Sequence, residues 1–273
     1  MLGPDNHRRG TVTAVWASST FGSSAPLAGS PLIATAHAMA HGAITPGHHH
    51  DVGHLVYAGS GCYQIETVDG LWLTPPQQAV WIPPATPHHA RASGRVDLYT
   101  VYIDIRAART LPTYCAVMPV GCLLRALIEE TSRWTDRPPA PARRRHVTAL
   151  LIDELQPTSA HAFQLAMPPD PRLQRLCRSL LEQPARGWSL VEWGQHTGAS
   201  ARTLARCFKR ETGLTFAQWR REARLFKALE WLAEGASIAE VAYRVGYDSP
   251  SAFSHMFQRA LGCPPSQYFE ARP

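Results

Sequence analysis

Several protein classes are excluded by what this 273-residue chain does not contain. It has no run of 18 apolar residues, so it offers no transmembrane helix. Its six cysteines (62, 115, 122, 177, 207 and 263) are scattered and form no C-x-x-C pair, which argues against a disulfide framework and against a zinc knuckle. Arg8 and Arg9 are followed by TVTAVWASSTFGSSAPLAG, which never sustains the apolar core of a secretory signal, so a reducing cytoplasm is the expected location. There is no G-x-S-x-G, no phosphate-binding loop and no pair of carboxylates beside the histidines, hence no recognisable catalytic set. The apolar fraction of 45% is nevertheless ample for packed cores, and the length suits one large domain or two modest ones.

The net charge of +6 is unevenly placed: residues 170–273 carry 15 Lys and Arg against 10 Asp and Glu, whereas 1–169 carry 12 against 11. A C-terminal basic excess suits phosphate neutralisation, although an excess this modest also describes a solvated basic face.

The periodicity changes along the chain. From about 30 to 104, short segments such as LVYAGSGCYQIETVDG, LWLTPP, AVWIPP and VDLYTVYID are rich in β-branched and aromatic residues between Gly and Pro turns. They predict strands of a sandwich or barrel, with Asp69-Gly70 as a hairpin turn. After Pro119, Leu123, Leu124, Leu127 and Ile128 recur at helical spacing, as do Val147, Leu150, Leu151, Ile152 and Leu155, predicting two amphipathic helices. RPPAPARRR (137–145) between them reads as a basic surface loop, and MPPDP (167–171) as an interdomain linker.

The remainder is helical in period and repeats itself. SLVEWGQHTG (189–198) aligns with SIAEVAYRVG (237–246), 48 residues on, and a one-residue slip then aligns Leu204, Phe208 and Gly213 with Phe253, Phe257 and Gly262. In each copy a short helix reaches a turn glycine (Gly198, Gly246) and a second helix starts at a serine cap, Ser200 or Ser249. Gly194 and Ala242, four residues before the turn, are small enough for the second helix to pass close. Each second helix has an inward face, Leu204 with Phe208 or Phe253 with Phe257. The opposite face is polar: Arg202, Thr203, Arg206, Lys209 and Arg210 in the first, Ser251, Ser254, His255, Gln258 and Arg259 in the second. Arginine grips guanine edges, glutamine reads adenine, and Ser and Lys hold phosphates. Residues 216–234 predict one connecting helix of roughly 28 Å ending at Gly235, which would set two reading helices into successive major-groove faces. Periodicity alone also allows a helical bundle that binds another protein.

The segments SARTLARCFKRETG and RLFKALEWLAEGASIAEVAYRVGYDSPSAFSHMFQRALGCPPSQYF resemble the DNA-binding domain of the AraC/XylS transcription regulators through about 172–270. The resemblance implies two helix-turn-helix units on one asymmetric DNA site, with reading helices at Ser200–Glu211 and Ser249–Arg259. Pro250 and His255 are individual to this chain and leave the base preference of the second helix open.

The other informative cluster is PGHHHDVGHLVYAGSGCY with WIPPATPHH downstream. On a strand His48 and His50 share a face, His54 returns to it, and a later strand bringing His88 alongside completes an imidazole set suited to zinc, nickel, copper or iron. Three histidines in a row also occur as solvated turns. This region resembles a cupin barrel, in which His48, His50 and His88 match ligand positions and Gly59 or Gly61 the closing glycine of the motif. His54 stands where cupin enzymes have Glu and related regulators Gln, and an all-imidazole set favours a late transition metal. Many cupin sensory domains instead hold an organic effector and no metal. His49 and His89 are expected on the opposite face.

The expectation is therefore an α+β, two-domain regulator. A 1–29 extension precedes a cupin-like antiparallel barrel at 30–118, a helical dimerisation segment with linker at 119–166, and an all-α double helix-turn-helix domain at 167–273. Its partners would be double-stranded promoter DNA, RNA polymerase and a second copy of itself, with one divalent metal or an unidentified small molecule as effector. A cupin metalloenzyme of dioxygenase or isomerase type carrying a DNA-targeting domain is the alternative.

Overall fold

The structure, a computed structural model, describes residues 31–104, 106–158 and 163–269; the expected 1–29 extension lies outside the described residues. The first half is a double sheet. One sheet, in order β1-β8-β3-β6-β9, comprises β1 (Leu32–Met39), β8 (Val96–Ile103), β3 (Gly53–Ala58), β6 (Gln78–Ile82) and β9 (Ala116–Pro119). The other, in order β10-β5-β4-β7-β2, comprises β10 (Gln164–Ala166), β5 (Gly70–Thr74), β4 (Cys62–Thr67), β7 (His88–Ser93) and β2 (Ile44–His48). Every pairing is antiparallel. The hairpin between β4 and β5 turns on Val68 and Asp69, one residue earlier than the Asp69-Gly70 dipeptide suggested, because Gly70 already pairs with Thr67.

The central strand β3 is buried on both faces, which explains why LVYA within it reads as a continuous apolar run rather than an alternating one. Leu55, Tyr57, Trp81 and Val101 face outward under two helices, α1 (Cys122–Ser132) and α2 (Pro141–Asp153), through Leu124, Leu127, Ile128 and Leu151. Residues 141–145, read as part of a loop, are the first turns of α2. Pro141 sits at its first helical position, where the fixed φ suits a helix and the missing N–H costs nothing. Most of the apolar stripe of these helices is used against the chain's own sheet. Leu123 and Leu150 remain exposed.

The helical half begins at α3 (Pro171–Glu182), capped by Asp170, whose carboxylate accepts from the Arg172 N–H. Then follow α4 (Leu190–Thr197), α5 (Ala201–Thr212), α6 (Phe216–Ala233), α7 (Ile238–Arg244), α8 (Pro250–Leu261) and α9 (Pro265–Tyr268). The repeat is realised as two helix-turn-helix units, α4–α5 and α7–α8, joined by the 18-residue α6. Gly198 and Gly246 adopt φ of 69° and 84°, the left-handed turn conformation that glycine adopts freely. A Cβ on Gly194 would lie 2.6 Å from the Ala199 carbonyl oxygen, so the small residue is required by the close return of the chain. Leu204, Phe208, Phe253 and Phe257 are all buried.

The two halves are packed together. The outer face of the second sheet lies on α3 and α6: the Cys62 thiol reaches the Leu229 carbonyl at 3.8 Å, and Arg178 of α3 pairs with Glu66 of β4 at 3.2 Å. The Trp219 indole donates to the Ala166 carbonyl at 2.7 Å and the Gln77 amide to the Tyr268 carbonyl at 2.8 Å. Gly94, after β7, meets α6 so closely that a Cβ there would lie 2.2 Å from the Ala233 oxygen. Among the described residues no helix is long and apolar enough to cross a membrane.

Candidate functional site

Period-two alternation aims the histidines into the space between the sheets. His54 on β3 faces inward from the first sheet, while His48 on β2 and His88 on β7, directly paired with each other, face inward from the second. The β2–β7 register shifts between Thr45 and His48, at Pro46 and Gly47, and such a bulge re-aims the side chain that follows it. His50 lies just past β2, and its carbonyl accepts from the Ala85 N–H at 2.7 Å. Ala85, a non-glycine residue at φ 57°, thereby ties the two histidine-bearing loops together.

The side-chain nitrogens of His48, His50 and His88 lie within 4.8 Å of one another. The His54 ring is 4.6 Å from His50 and 5.0 Å from His88, centre to centre, and stacks on Tyr102 of β8 at 5.6 Å. His54 thus flanks the three-histidine group, with its Nδ1 buried and without a hydrogen-bond partner. Two ring orientations are set by the backbone: Nδ1 of His48 donates to the Pro46 carbonyl at 2.8 Å, and Nδ1 of His88 to the Thr86 carbonyl at 2.9 Å. With the proton held at Nδ1, each Nε2 keeps its lone pair for the cluster, the arrangement by which outer partners prepare imidazoles as metal ligands.

Burial makes the rings of His50, His54 and His88 poor bases. Desolvation first, then the neighbouring His48 and His49, pulls His50 down to about 4. Desolvation also takes His88 down to about 4, and burial with His88, His50 and His48 alongside holds His54 well below the ordinary imidazole range. These three rings are neutral at physiological pH and available as donors. Two nitrogens bonded to one tetrahedral ion at about 2.1 Å lie about 3.4 Å apart; Nε2 of His48 lies 3.1 Å from Nε2 of His50, within hydrogen-bond reach, and the three ligand atoms lie within 4.8 Å of one another. His49 is exposed, and His89 points outward to pair with Glu66 at 3.2 Å.

The cluster occupies one end of a cavity of about 430 Å³ whose walls include Thr45, Tyr63, Val56, Ile65, Leu98 and Tyr102. Thr45 and Tyr63, on the two strands that flank β7, share a hydroxyl hydrogen bond along one wall. The sequence reading assigned neither Tyr63 nor Tyr102 to the site, yet both follow from the alternation that placed the histidines: Tyr102 pairs with His54, and Ala92 and Ala90 pair with Tyr63 and Ile65.

On the helical half, Arg202, Arg206, Lys209 and Arg210 of α5 are exposed or nearly so and Thr203 is half-buried, its N–H donating to the Ser200 hydroxyl at 3.2 Å. Arg210 is paired with Glu211 at 2.6 Å and Lys209 caps the Gly213 carbonyl, which leaves Arg202 and Arg206 as the outward cations of that helix. On α8, Ser251, His255, Gln258 and Arg259 are exposed, Ser254 is half-buried, and Ser249 caps the Ala252 N–H at 3.2 Å.

The family model described as an AraC-like ligand binding domain matches residues 30–207, and that of a helix-turn-helix domain matches residues 193–271. The HTH-type transcriptional regulator NimR of Escherichia coli K12 is 33% identical over 224 residues, covering 82% of this chain and 82% of NimR. The virulence regulon transcriptional activator VirF of Yersinia enterocolitica is 25% identical over 228 residues, 80% of each chain. Among solved structures, ToxT of Vibrio cholerae aligns with 88% of this chain and 98% of its own, at 10% identity and a TM-score of 0.38.

Proposed function

This chain belongs to the AraC/XylS family of DNA-binding transcription regulators with an N-terminal ligand-binding domain, and from that premise we propose that its effector site holds a divalent transition metal on His48, His50 and His88, with His54 as a further donor. The observation that supports the proposal is the pair of Nδ1-to-carbonyl hydrogen bonds that turn Nε2 of His48 and His88 towards the cluster, where Nε2 of His48 lies 3.1 Å from Nε2 of His50. Zinc, nickel, copper or iron suits a site of nitrogen donors without carboxylate. The ion would supply positive charge and open coordination positions in the cavity.

In the same reading α5 and α8 are the DNA-reading helices. Arg202 and Arg206 contact base edges or phosphate, Ser200, Thr203, Lys209 and Arg210 add backbone contacts, and Ser249, Ser251, Ser254, His255, Gln258 and Arg259 serve the second segment. The 18 residues of α6 span about 27 Å, compatible with reading helices about one DNA turn apart. Effector occupancy would reach them through the second sheet. β7 carries His88 on its inner face and His89 on its outer face, where His89 pairs with Glu66 and Glu66 with Arg178 of α3. A ligand shifts DNA affinity only by its preference between arrangements, typically about 1 to 3 kcal/mol. The exposed Leu123 and Leu150 support a homodimer through α1 and α2, and contact with RNA polymerase is part of the same proposal.

Elemental analysis of tag-free protein beside its His48→Ala/His50→Ala variant, followed by DNA binding with and without the metal found, tests this. Near-stoichiometric metal lost in the variant, with altered affinity for upstream DNA, supports the reading. A wild-type protein that also refuses added zinc, nickel, copper and iron overturns the metal assignment and leaves DNA binding standing.

A further inference from the structure

A second cavity lies outside the barrel. It is a groove of about 420 Å³ between α6 and α8, with Arg221, Glu222 and Leu225 on one side and His255, Met256 and Arg259 on the other. Arg221, His255 and Arg259 are exposed at its rim, whereas Met256 is half-buried and Leu225 buried, so the rim is polar and the floor apolar. Neither arginine forms an ion pair among the described residues. Among the described residues lining the groove Glu222 is the one carboxylate, yet its Oε2 is buried without a hydrogen-bond partner. Two guanidiniums, an imidazole and an unpartnered carboxyl oxygen thus share one space that no contact within the chain satisfies.

A helix laid in the major groove has phosphates along its flanks. His255 and Arg259, four residues apart on α8, share the flank that faces α6, and Arg221 meets them from the other helix. We propose that this groove seats one phosphate of the DNA backbone on Arg221, His255 and Arg259, and that Glu222 gates it, donating to a phosphate oxygen when it carries its proton and repelling the phosphate when it is ionised. The inference rests on α8 as a DNA-reading helix and adds Arg221 and Glu222 of the connecting helix to the interface. Burial raises the Glu222 carboxyl to about 7, against the opposing pull of Arg221. His255 is the other titratable group facing the groove, and Arg221 and Arg259 are its fixed charges. A protonated carboxyl forms a charge-assisted hydrogen bond with a phosphate, whereas two anions over an apolar floor repel with little screening. A group that titrates at about 7 and must be protonated to admit the phosphate costs about tenfold in affinity between pH 6 and pH 8, and the loss grows as the pH rises.

The test uses full-length protein and a duplex of its upstream DNA, titrated at constant ionic strength between pH 6 and pH 8. Wild-type affinity should fall about tenfold over that range. Glu222→Gln, which keeps a donor and cannot ionise, should bind about tenfold more tightly than wild type at pH 8 and lose most of the pH dependence. Replacing backbone phosphates one at a time with neutral methylphosphonates should reveal a position whose substitution weakens wild-type protein at pH 6 and leaves Arg221→Ala unaffected. A merely structural effect of Glu222 on α6 would not produce that match between one phosphate and one arginine. A flat wild-type profile, or one that is unchanged in Glu222→Gln and flattened in His255→Gln, overturns the gate. Methylphosphonate losses that are the same in wild type and Arg221→Ala overturn the phosphate seat. So does binding of inorganic phosphate to the free protein, lost in Arg221→Ala, with no sensitive position in the duplex, since the groove would then take a free phosphate. Wild-type protein that binds no DNA overturns the reading of α8 and this inference with it.

Discussion

Removing the ammonium of Lys227 should destabilise the helical half by about 3 kcal/mol, because it strands the buried carboxylate of Glu230. That residue is 2% exposed on α6, beneath β4 and β7 of the sensory sheet, with Lys227 one turn away as its ion-pair partner. Burial raises the Glu230 carboxyl even though Lys227 and, more weakly, Arg91 favour its ionised form. Breaking a buried pair by deleting one member typically costs roughly 3–5 kcal/mol, since the other charge is left uncompensated. The lower end applies because Lys227 is partly exposed and the Arg91 guanidinium remains. Lys227→Met keeps the stem that packs beside Trp231 and removes only the charge. Urea denaturation followed by tryptophan fluorescence should show the loss in the transition that reports the helical half. Lys227→Met/Glu230→Met should recover most of it, since apolar replacement of both partners is often neutral or better. In the single variant the folded-state carboxyl titrates above its unfolded value, so the penalty is full above the folded value and shrinks as the pH falls towards the ordinary carboxylate range. A single-variant loss under about 1 kcal/mol, or a double variant no more stable than the single, refutes the account of Glu230 as a buried, ionised group.

Three further outcomes are expected. Glu222 on α6 has a buried carboxylate oxygen without a partner, and desolvation raises it to about 7. The full shift would be worth about 3 kcal/mol, discounted for partial exposure to about 1. Glu222→Gln should therefore raise the melting temperature at pH 8, with the gain fading between pH about 7 and about 4.5 as the wild-type carboxyl takes up its proton; a gain independent of pH contradicts it. Arg202→Ala and Arg206→Ala should each weaken binding to upstream DNA, by about 1–3 kcal/mol with relaxed sequence preference for a base contact, or uniformly with a salt slope reduced by about 1 for a phosphate contact. Unchanged affinity in both would misplace α5. Gly94→Ala puts a methyl 2.2 Å from the Ala233 oxygen at φ 75°, so amide exchange at the C-terminal end of α6 should accelerate while α4 and α5 keep their protection; unchanged exchange at Ala233 would show that the halves are not held at that point.

How much was legible in the residues varied with the range of the interaction. The helix-turn-helix units were readable because caps, turn glycines and inward phenylalanines are local signals that occur twice, and Ser200, Ser249, Gly198 and Gly246 lie where the chain needs them. Residues 137–145 read as one loop because Pro141 resembles a breaker, although proline at the first turn starts a helix. β1, β2, β9 and β10 carry weak signals of their own. β10 is three residues long, and it belongs to the sheet because of Leu71 and Gly70 across from it, not because of its own composition. The histidines could be placed on one side of their strands by alternation, but alternation cannot say which strands face each other. Bringing His54 of one sheet to His48 and His88 of the other is a property of the closed sandwich.

The same architecture explains why the two functions of such a chain need not be joined by a flexible tether. Inward and outward residues of a strand are adjacent in sequence, so a shift of β7 at His88 would be carried by the same backbone that positions His89 and, at the end of the strand, Gly94. On the outer side the ion pairs are weak, since Arg178 is largely exposed and such pairs contribute about 0–1 kcal/mol. The apolar packing of Leu71 and Leu73 with the α6 residues Phe226 and Leu229 in one continuous core therefore carries most of the adhesion. A coupling of a few kcal/mol then needs only a small change in how that core closes, because densely packed interiors switch between discrete arrangements rather than stretch. Glu230 lies within this contact region, buried and paired with Lys227, so a rearrangement there must keep that pair satisfied.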